Sequence, residues 1–263
     1  MNAKADTFFN VPLKKFQTTK GVIDLPIFYP DYGYAHFLFW ADYDKVVPKL
    51  EGTIFKPCRF FNGKAGVLLN FFQYRNSAIG PYNEVGLSIL CHPKMVKRAG
   101  PFVTQIFLND GTKWSIGAYV INLPVTTEIA YVGGREVWSY PKFVTNIVVD
   151  LKGRQFSGAV DDPVLKQPIF TLKGKIGFLP LIVGISSFIS HTTHQGKALR
   201  TLTSVDSKSK GNLLFSGRLW VNDQSKHIMA TNLVDMGLKN KKPFLALYRE
   251  KARMILHEGI PIP

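Results

Sequence analysis

The sequence predicts a mainly β (α+β) fold, a closed antiparallel β-barrel with a few peripheral helices. Three observations carry that expectation. The apolar runs are short and rich in β-branched and aromatic residues, the signature of strands. The 22 glycines and 16 prolines are spread along the chain, not pooled in a linker. So many short strands need closure or a second sheet, because open edges invite association with other chains. With 263 residues and 46% hydrophobic content a substantial core can be buried, and residues 1–263 read as a single domain. A barrel of this kind can hold a small ligand in its interior.

Each element follows in order. After a polar, extended N-terminal segment, "YAHFLFWADYDKVVPKL" reads as a strand from Ala35 to Trp40 entering a short helix, with Asp42 as its N-cap and Pro48 at its end. "AGVLLNFFQYR" is a nearly unbroken apolar run and reads as a strand covered on both faces. A loop with Gly80 and Pro81 leads into a further strand, "YNEVGLSIL". "PFVTQIFLNDGTKWSIGAYVIN" reads as two strands joined at Asn109, Asp110 and Gly111, where glycine supplies the positive φ of a tight turn. "VTTEIAYVGGREVW" is helix-like and is expected to stop at the double glycine. "TNIVVDLKGRQFSGAV" alternates with period two around Lys152 and Gly153, a hairpin pattern. "PIFTLKGKIGF" and "NLLFSGRLWV" supply more strands. "KPFLALYREKARMIL" groups Phe244, Leu247, Tyr248, Met254 and Ile255 on one helical face, which predicts a C-terminal amphipathic helix.

Thirty-three basic against eighteen acidic side chains leave a net charge of +15. The lysines are scattered, and no zinc-ligand array, stacking aromatic strand or basic heptad accompanies them, so nucleic acid is not the expected partner. Positive potential also concentrates small carboxylates, and a small anionic substrate fits the charge as well. Cys58 and Cys91 stand outside any CxxC pair, and the first residues lack the apolar core of a secretory signal. A reducing, cytoplasmic setting is the expectation. The longest apolar stretch, Ile176 to Ser190, is interrupted by Gly177, Pro180 and Gly184 and falls short of the roughly 20 residues of a membrane span. No membrane association is expected. His191 and His194 in "HTTHQGK" have a spacing that suits a metal on a helix, but no third ligand is signalled nearby, so no metal is expected.

The chemistry concentrates in "GGREVWSYPK", residues 133–142, where Lys142 follows Trp138, Tyr140 and Pro141. "GREVWSYPK" resembles the signature segment of the acetoacetate decarboxylase family, in which GRE is followed by a Tyr-Pro-Lys. "YNE", residues 82–84, resembles that family's upstream tyrosine-x-glutamate, and "DYDKVVPKLEG" its short helix ending in proline. The resemblance covers roughly Ala35 to Lys142. It implies an acetoacetate decarboxylase-like barrel, a lysine at 142 that forms a Schiff base with a β-keto acid, a carboxylate at Glu84 facing it, no cofactor, and assembly into a homo-oligomer.

The need for such a lysine can be stated on its own. A β-keto acid loses CO2 slowly because the electron pair left behind has no stable place to go, and an iminium accepts it as an enamine. The attacking amine must be neutral, whereas a free lysine with a pKa of about 10.4 is almost wholly charged at pH 7. Acetoacetate decarboxylase is itself the standard illustration of a lysine activated for this purpose. In this sequence Phe143 occupies the position of the family's second lysine. More of the work is expected to fall either to desolvation by neighbours such as Trp138 and Phe143 or to a cation from elsewhere, for which Arg135 is a candidate if it is not paired with Glu136. The family's arginine near Tyr32 is missing, its extra acidic residue falls at Leu69 or Asn70, and Ser139 replaces a smaller residue.

Tyr82 and Tyr140 are expected to line the pocket and orient Glu84 and Lys142. Arg135 and Glu136 are expected to form an internal ion pair that holds the loop. Three functions follow: a β-keto acid decarboxylase acting on acetoacetate, a Schiff-base aldolase or dehydratase of keto acids, or a non-catalytic barrel that binds a small acid.

Overall fold

The computed structural model describes residues 7–60, 63–96, 116–178, 181–183 and 187–262. A hairpin of β1 (Lys14–Thr18) and β2 (Gly21–Leu25) precedes the long strand β3 (Ile27–Asp42). The helical turn α1 (Tyr43–Val46) and a 3-10 turn, Val47–Leu50, then lead through β4 (Phe55–Pro57) to β5 (Lys64–Asn76) and β6 (Tyr82–Pro93). Next come β7 (Gly117–Val125), helix α2 (Glu128–Trp138) and the short β8 (Lys142–Val144). A four-stranded sheet uses β9 (Ile147–Lys152), β10 (Gln155–Asp161), β11 (Pro168–Lys175) and, later, β16 (Leu219–Val221). The remaining elements are β12 (Leu181–Val183), β13 (Ser187–His194), β14 (Lys197–Val205), β15 (Ser209–Asn212), helix α3 (Ile228–Asp235) and β17 (Leu245–Pro261).

Seven strands close a barrel in the order β3, β5, β6, β7, β13, β14, β17, with β17 pairing back onto β3. The expectation of a closed barrel holds. Six of its seams are antiparallel and one, β7 with β13, is parallel, which is possible because a long stretch of chain separates those two strands.

Side-chain alternation divides the barrel wall. On β3, β5 and β6 the even-numbered residues point inward and the odd-numbered ones pack outward. Outside, Phe37, Phe39, Leu69, Phe71, Leu87 and Ile89 are fully buried beneath the four-stranded sheet, against Phe156, Phe170 and Leu172. The two-sided cover predicted for residues 65–75 therefore has a simple cause: one face meets the sheet, the other the barrel interior.

Three expected elements are corrected. The C-terminal segment is no helix but the 17-residue strand β17, which closes the barrel between β3 and β14. Register shifts at Arg249–Ala252 and Ala252–Met254 interrupt its alternation, so that inward residues Leu247 and Met254 fall seven apart and imitate two helical turns. Helix α2 does not stop at the double glycine. It continues to Trp138 and ends where Ser139 adopts a left-handed conformation (φ 52°), its N–H bonding back to the carbonyls of Arg135 and Gly134. Pro48 opens the 3-10 turn instead of ending the helix; Asp42 does stand at the N-cap of α1 as expected, but its carboxylate bonds Lys64 and caps no backbone N–H. The hairpin at Lys152 and Gly153 forms as expected, whereas the turn expected at residues 109–111 lies outside the described residues. Of "NLLFSGRLWV", only the two ends are strand.

Candidate active site

Lys142 opens β8, which lies parallel to β7 with Lys142 opposite Leu123. Its side chain turns inward across helix α2. A Cβ on Gly134 would stand 2.3 Å from Lys142 Cε and 2.5 Å from Cδ, so only glycine at 134 leaves the lysine this path. The second glycine of the motif is a groove for the lysine, not a helix stop.

Inside, Lys142 Nζ donates to Glu84 Oε2 at 2.6 Å. Both residues are only 7% exposed. The other carboxylate oxygen, Oε1, accepts from the Tyr74 hydroxyl at 3.3 Å. A buried ion pair is tolerated only when its remaining polar atoms also find partners, and the phenol supplies one. Behind this pair sits a tyrosine cluster: Tyr29 and Tyr82 share a hydrogen bond of 2.9 Å, and the Tyr74 ring lies 4.4 Å and 4.5 Å from theirs. Burial, aided by the charge of Glu84, pushes the hydroxyls of Tyr29, Tyr74 and Tyr82 well above the usual phenol range. Tyr140 is pushed up to about 12, mainly by burial, and its hydroxyl bonds Ser190 Oγ at 2.7 Å. All four are protonated at neutral pH and able to donate.

Lys142, Glu84 and Tyr140 line a cavity of ≈ 160 Å³ inside the barrel. Register pairing arranges its wall as layers. Tyr34, Phe72 and Glu84 form one layer, His36, Asn70 and Gly86 the next, and Leu38, Leu68 and Ser88 the one after. Tyr32 and Tyr74 lie on the reactive side of these layers, and Leu90, Ile116 and Leu245 on the far side.

The other residues expected at the pocket stand elsewhere. Tyr82 packs behind Glu84, with Lys142 Nζ 5.8 Å from its ring centroid, and does not line the cavity. Phe143 faces away, because alternation in β8 turns it opposite to Lys142, and its ring lies 4.4 Å from that of His227. Trp138 is buried against the C-terminal strand and donates Nε1–H to the His257 carbonyl at 2.9 Å. Lys142 is packed against Gly134, lies opposite Leu123 and sits near the Tyr82 ring, whereas Phe143 and Trp138 pack elsewhere.

Arg135 and Glu136 form no ion pair with each other, since adjacent helical residues diverge. Arg135 reaches the Lys142 carbonyl at 3.4 Å and stacks on Tyr131, whereas Glu136 accepts from the backbone and hydroxyl of Thr19 at 3.0 and 2.5 Å. His191 and His194 lie on strand β13, not on a helix, so the spacing of three turns them apart. His191 stacks on Phe55, and His194 bonds Ser139. Among the described residues no group of three His, Cys, Asp or Glu side chains comes together, and no helix is long and apolar enough to cross a membrane.

The family's extra acidic residue falls at Leu69 or Asn70 in the sequence. Asn70 is the one that faces the cavity, while Leu69 belongs to the outer core. His36 was missed altogether. Its imidazole stacks on Tyr34 at 4.6 Å, its Nδ1 is buried with no hydrogen-bond partner among the described residues, and burial holds it neutral with a pKa lowered to about 3. Alternation along "YGYAHFLF" was the available signal, since it places His36 on the same face as Tyr32 and Tyr34.

The fold is a closed barrel with a buried lysine and carboxylate in contact at one end of an interior cavity. The family model for acetoacetate decarboxylase (ADC) matches residues 26–184, and the chain belongs to that family. Among solved structures, it is similar to acetoacetate decarboxylase from Legionella pneumophila, at 14% identity and a TM-score of 0.62 over 100% of this chain and 98% of that one. It is also similar to an acetoacetate decarboxylase-like enzyme from Sphingomonas wittichii, at 12% identity and a TM-score of 0.56 over 91% and 94%. A third likeness is to the enduracididine biosynthesis enzyme MppR, complexed with the condensation product of pyruvate and imidazole 4-carboxaldehyde, at 12% and 0.55 over 90% and 88%. At these identities the likeness concerns the fold. No curated protein matches the chain significantly by sequence.

Proposed function

We propose that this chain is a cofactor-independent, Schiff-base-forming lyase that decarboxylates a β-keto acid. The observation that carries the reading is the 2.6 Å contact between Lys142 Nζ and Glu84 Oε2 inside the barrel. Glu84 takes a proton from the lysine, and the neutral amine attacks the ketone carbon. Glu84 returns a proton to the carbinolamine oxygen, water leaves, and an iminium forms. The bond to the carboxylate then breaks, its electron pair enters the iminium to give an enamine, and CO2 departs. Glu84, now a carboxylate, takes up a proton from water and passes it to the enamine carbon, and attack of a second water on the resulting iminium releases the ketone and restores the amine. Tyr74 holds the second oxygen of Glu84 and so fixes which one faces the lysine.

A second reading, an aldolase or dehydratase working through the same imine, is favoured by the cavity wall. Among the described residues that line it, Lys142 is the one cationic side chain, already paired with Glu84, and no arginine is present to hold a carboxylate. The likeness to MppR, with its bound condensation product, supports the same reading.

Borohydride reduction in the presence of acetoacetate tests both. A permanent mass increment on Lys142 with CO2 release is expected for the decarboxylase, and an increment without CO2 for the alternative. Lys142→Arg should abolish the increment altogether. Unchanged trapping or turnover in that variant would remove both readings and leave a binding barrel.

A further inference from the structure

The cavity continues well past the reactive pair. From Glu84 to Leu90 the inward residues of β6 span six positions, which is about 20 Å of strand at about 3.3 Å per residue. The volume of ≈ 160 Å³ is roughly ten times what one water molecule needs. Along this length the wall changes character. It runs from Glu84 and the phenols, through the layer of His36, Asn70 and Leu247, to Leu38, Leu68, Leu90, Ile116 and Leu245, with Ser88 the one polar side chain among these.

We propose that the apolar half of the barrel is a tail site, so that the carbonyl compound bound at Lys142 carries an uncharged aliphatic substituent of several carbons. The inference rests on the Schiff-base reading and names its substrate class. Two facts converge on it. An apolar wall gains contacts and sheds water only when an apolar group lies against it. A charge on the substituent would be stranded, because the described residues at the far end provide no counter-ion and His36 is held neutral at the middle layer. Acetoacetate, with four carbons, is too short to extend from Lys142 to Leu38, Leu68 and Leu90, which lie two layers or more beyond Glu84 at about 3.3 Å per residue.

The test is a series of 2-alkanones, from acetone to 2-octanone, with two separate readouts on the full chain. Equilibrium binding reports the tail. Borohydride trapping, in which hydride reduces the iminium to a secondary amine, reports the bond to Lys142. Affinity should rise about four-fold per methylene and level off once the tail reaches the leucines. Leu68→Trp, which fills that end, should move the plateau to shorter ketones, with circular dichroism confirming that the variant folds. Equal affinity across the series, or a folded Leu68→Trp protein with an unmoved plateau, would overturn the proposal. Should Leu68→Trp fail to fold, the wild-type series alone decides. Affinity that climbs with length while no adduct forms upholds the tail site and removes the Schiff-base reading. Adducts that form with no dependence on length do the reverse.

Discussion

The inner and outer faces of the same three strands have opposite characters. On β3, β5 and β6 the odd-numbered residues are almost uniformly apolar, fully buried, and locked under a second sheet. The even-numbered ones include Tyr34, His36, Asn70, Glu84 and Ser88, around a cavity. One face is close-packed and the other is not, so the fold is held from outside while the polar and ionisable side chains gather inside. Because alternate residues point to opposite faces, a single strand serves both tasks without either constraining the other.

Breaking the outer face should have the largest effect. Phe71 is 0% exposed and meets Phe37, Phe156 and Phe170 with centroids 5.9, 4.9 and 6.2 Å away. Phe71→Ala should lower the unfolding free energy by about 3–5 kcal/mol, while protein that remains folded still forms adducts at Lys142. Denaturant titration beside mass spectrometry checks both halves of that statement. Loss of trapping from well-folded material would show the two faces to be coupled.

The inner face breaks differently. Gly134→Ala puts a methyl group 2.3 Å from Lys142 Cε, well inside contact distance. The helix should be no less stable, since alanine is favoured over glycine by about 1 kcal/mol. Displacement of the amine by about 1 Å should nonetheless reduce the trapping rate on the order of 100-fold. A variant that traps at the native rate would refute the packing described for Lys142.

The smallest effect sharpens the comparison by pH. His36 faces inward and His191 outward, and burial lowers their pKa values to about 3 and about 4. Both fall below the unfolded value of about 6.5. The unfolded chain therefore binds protons that the folded chain refuses, and stability is full above about pH 6.5. It should decline as the pH falls toward 4, at about 1.4 kcal/mol per pH unit for each histidine. In His191→Asn the slope of unfolding free energy against pH should drop by one proton, and likewise in His36→Asn. An unchanged slope would mean that the imidazole is already charged in the folded state.

Much of this was legible in the residues. "GREVWSYPK" and "YNE" single out Lys142 and Glu84, and short apolar runs between dispersed glycines and prolines imply closure of a barrel. What escaped has identifiable causes. The bulges in β17 gave its inward residues a helical spacing, so a barrel strand read as an amphipathic helix. Gly133 and Gly134 read as a helix stop because propensity alone weighs against glycine, whereas the need for space beside Lys142 is visible only in three dimensions. Phe143, next to the lysine in sequence, is on the other side of the strand.

By itself the sequence determined which groups can react and how densely apolar strands recur, because side-chain chemistry and period-two patterning are local properties. Tertiary structure alone decided that Glu84, 58 positions before Lys142, accepts its hydrogen bond, that Asn70 and not Leu69 faces the cavity, and that the space beyond them is lined by leucines from distant strands. The physical reason is that strand register, bulges and closure set which side chains meet across the barrel, and each of these depends on pairing between segments far apart in the chain.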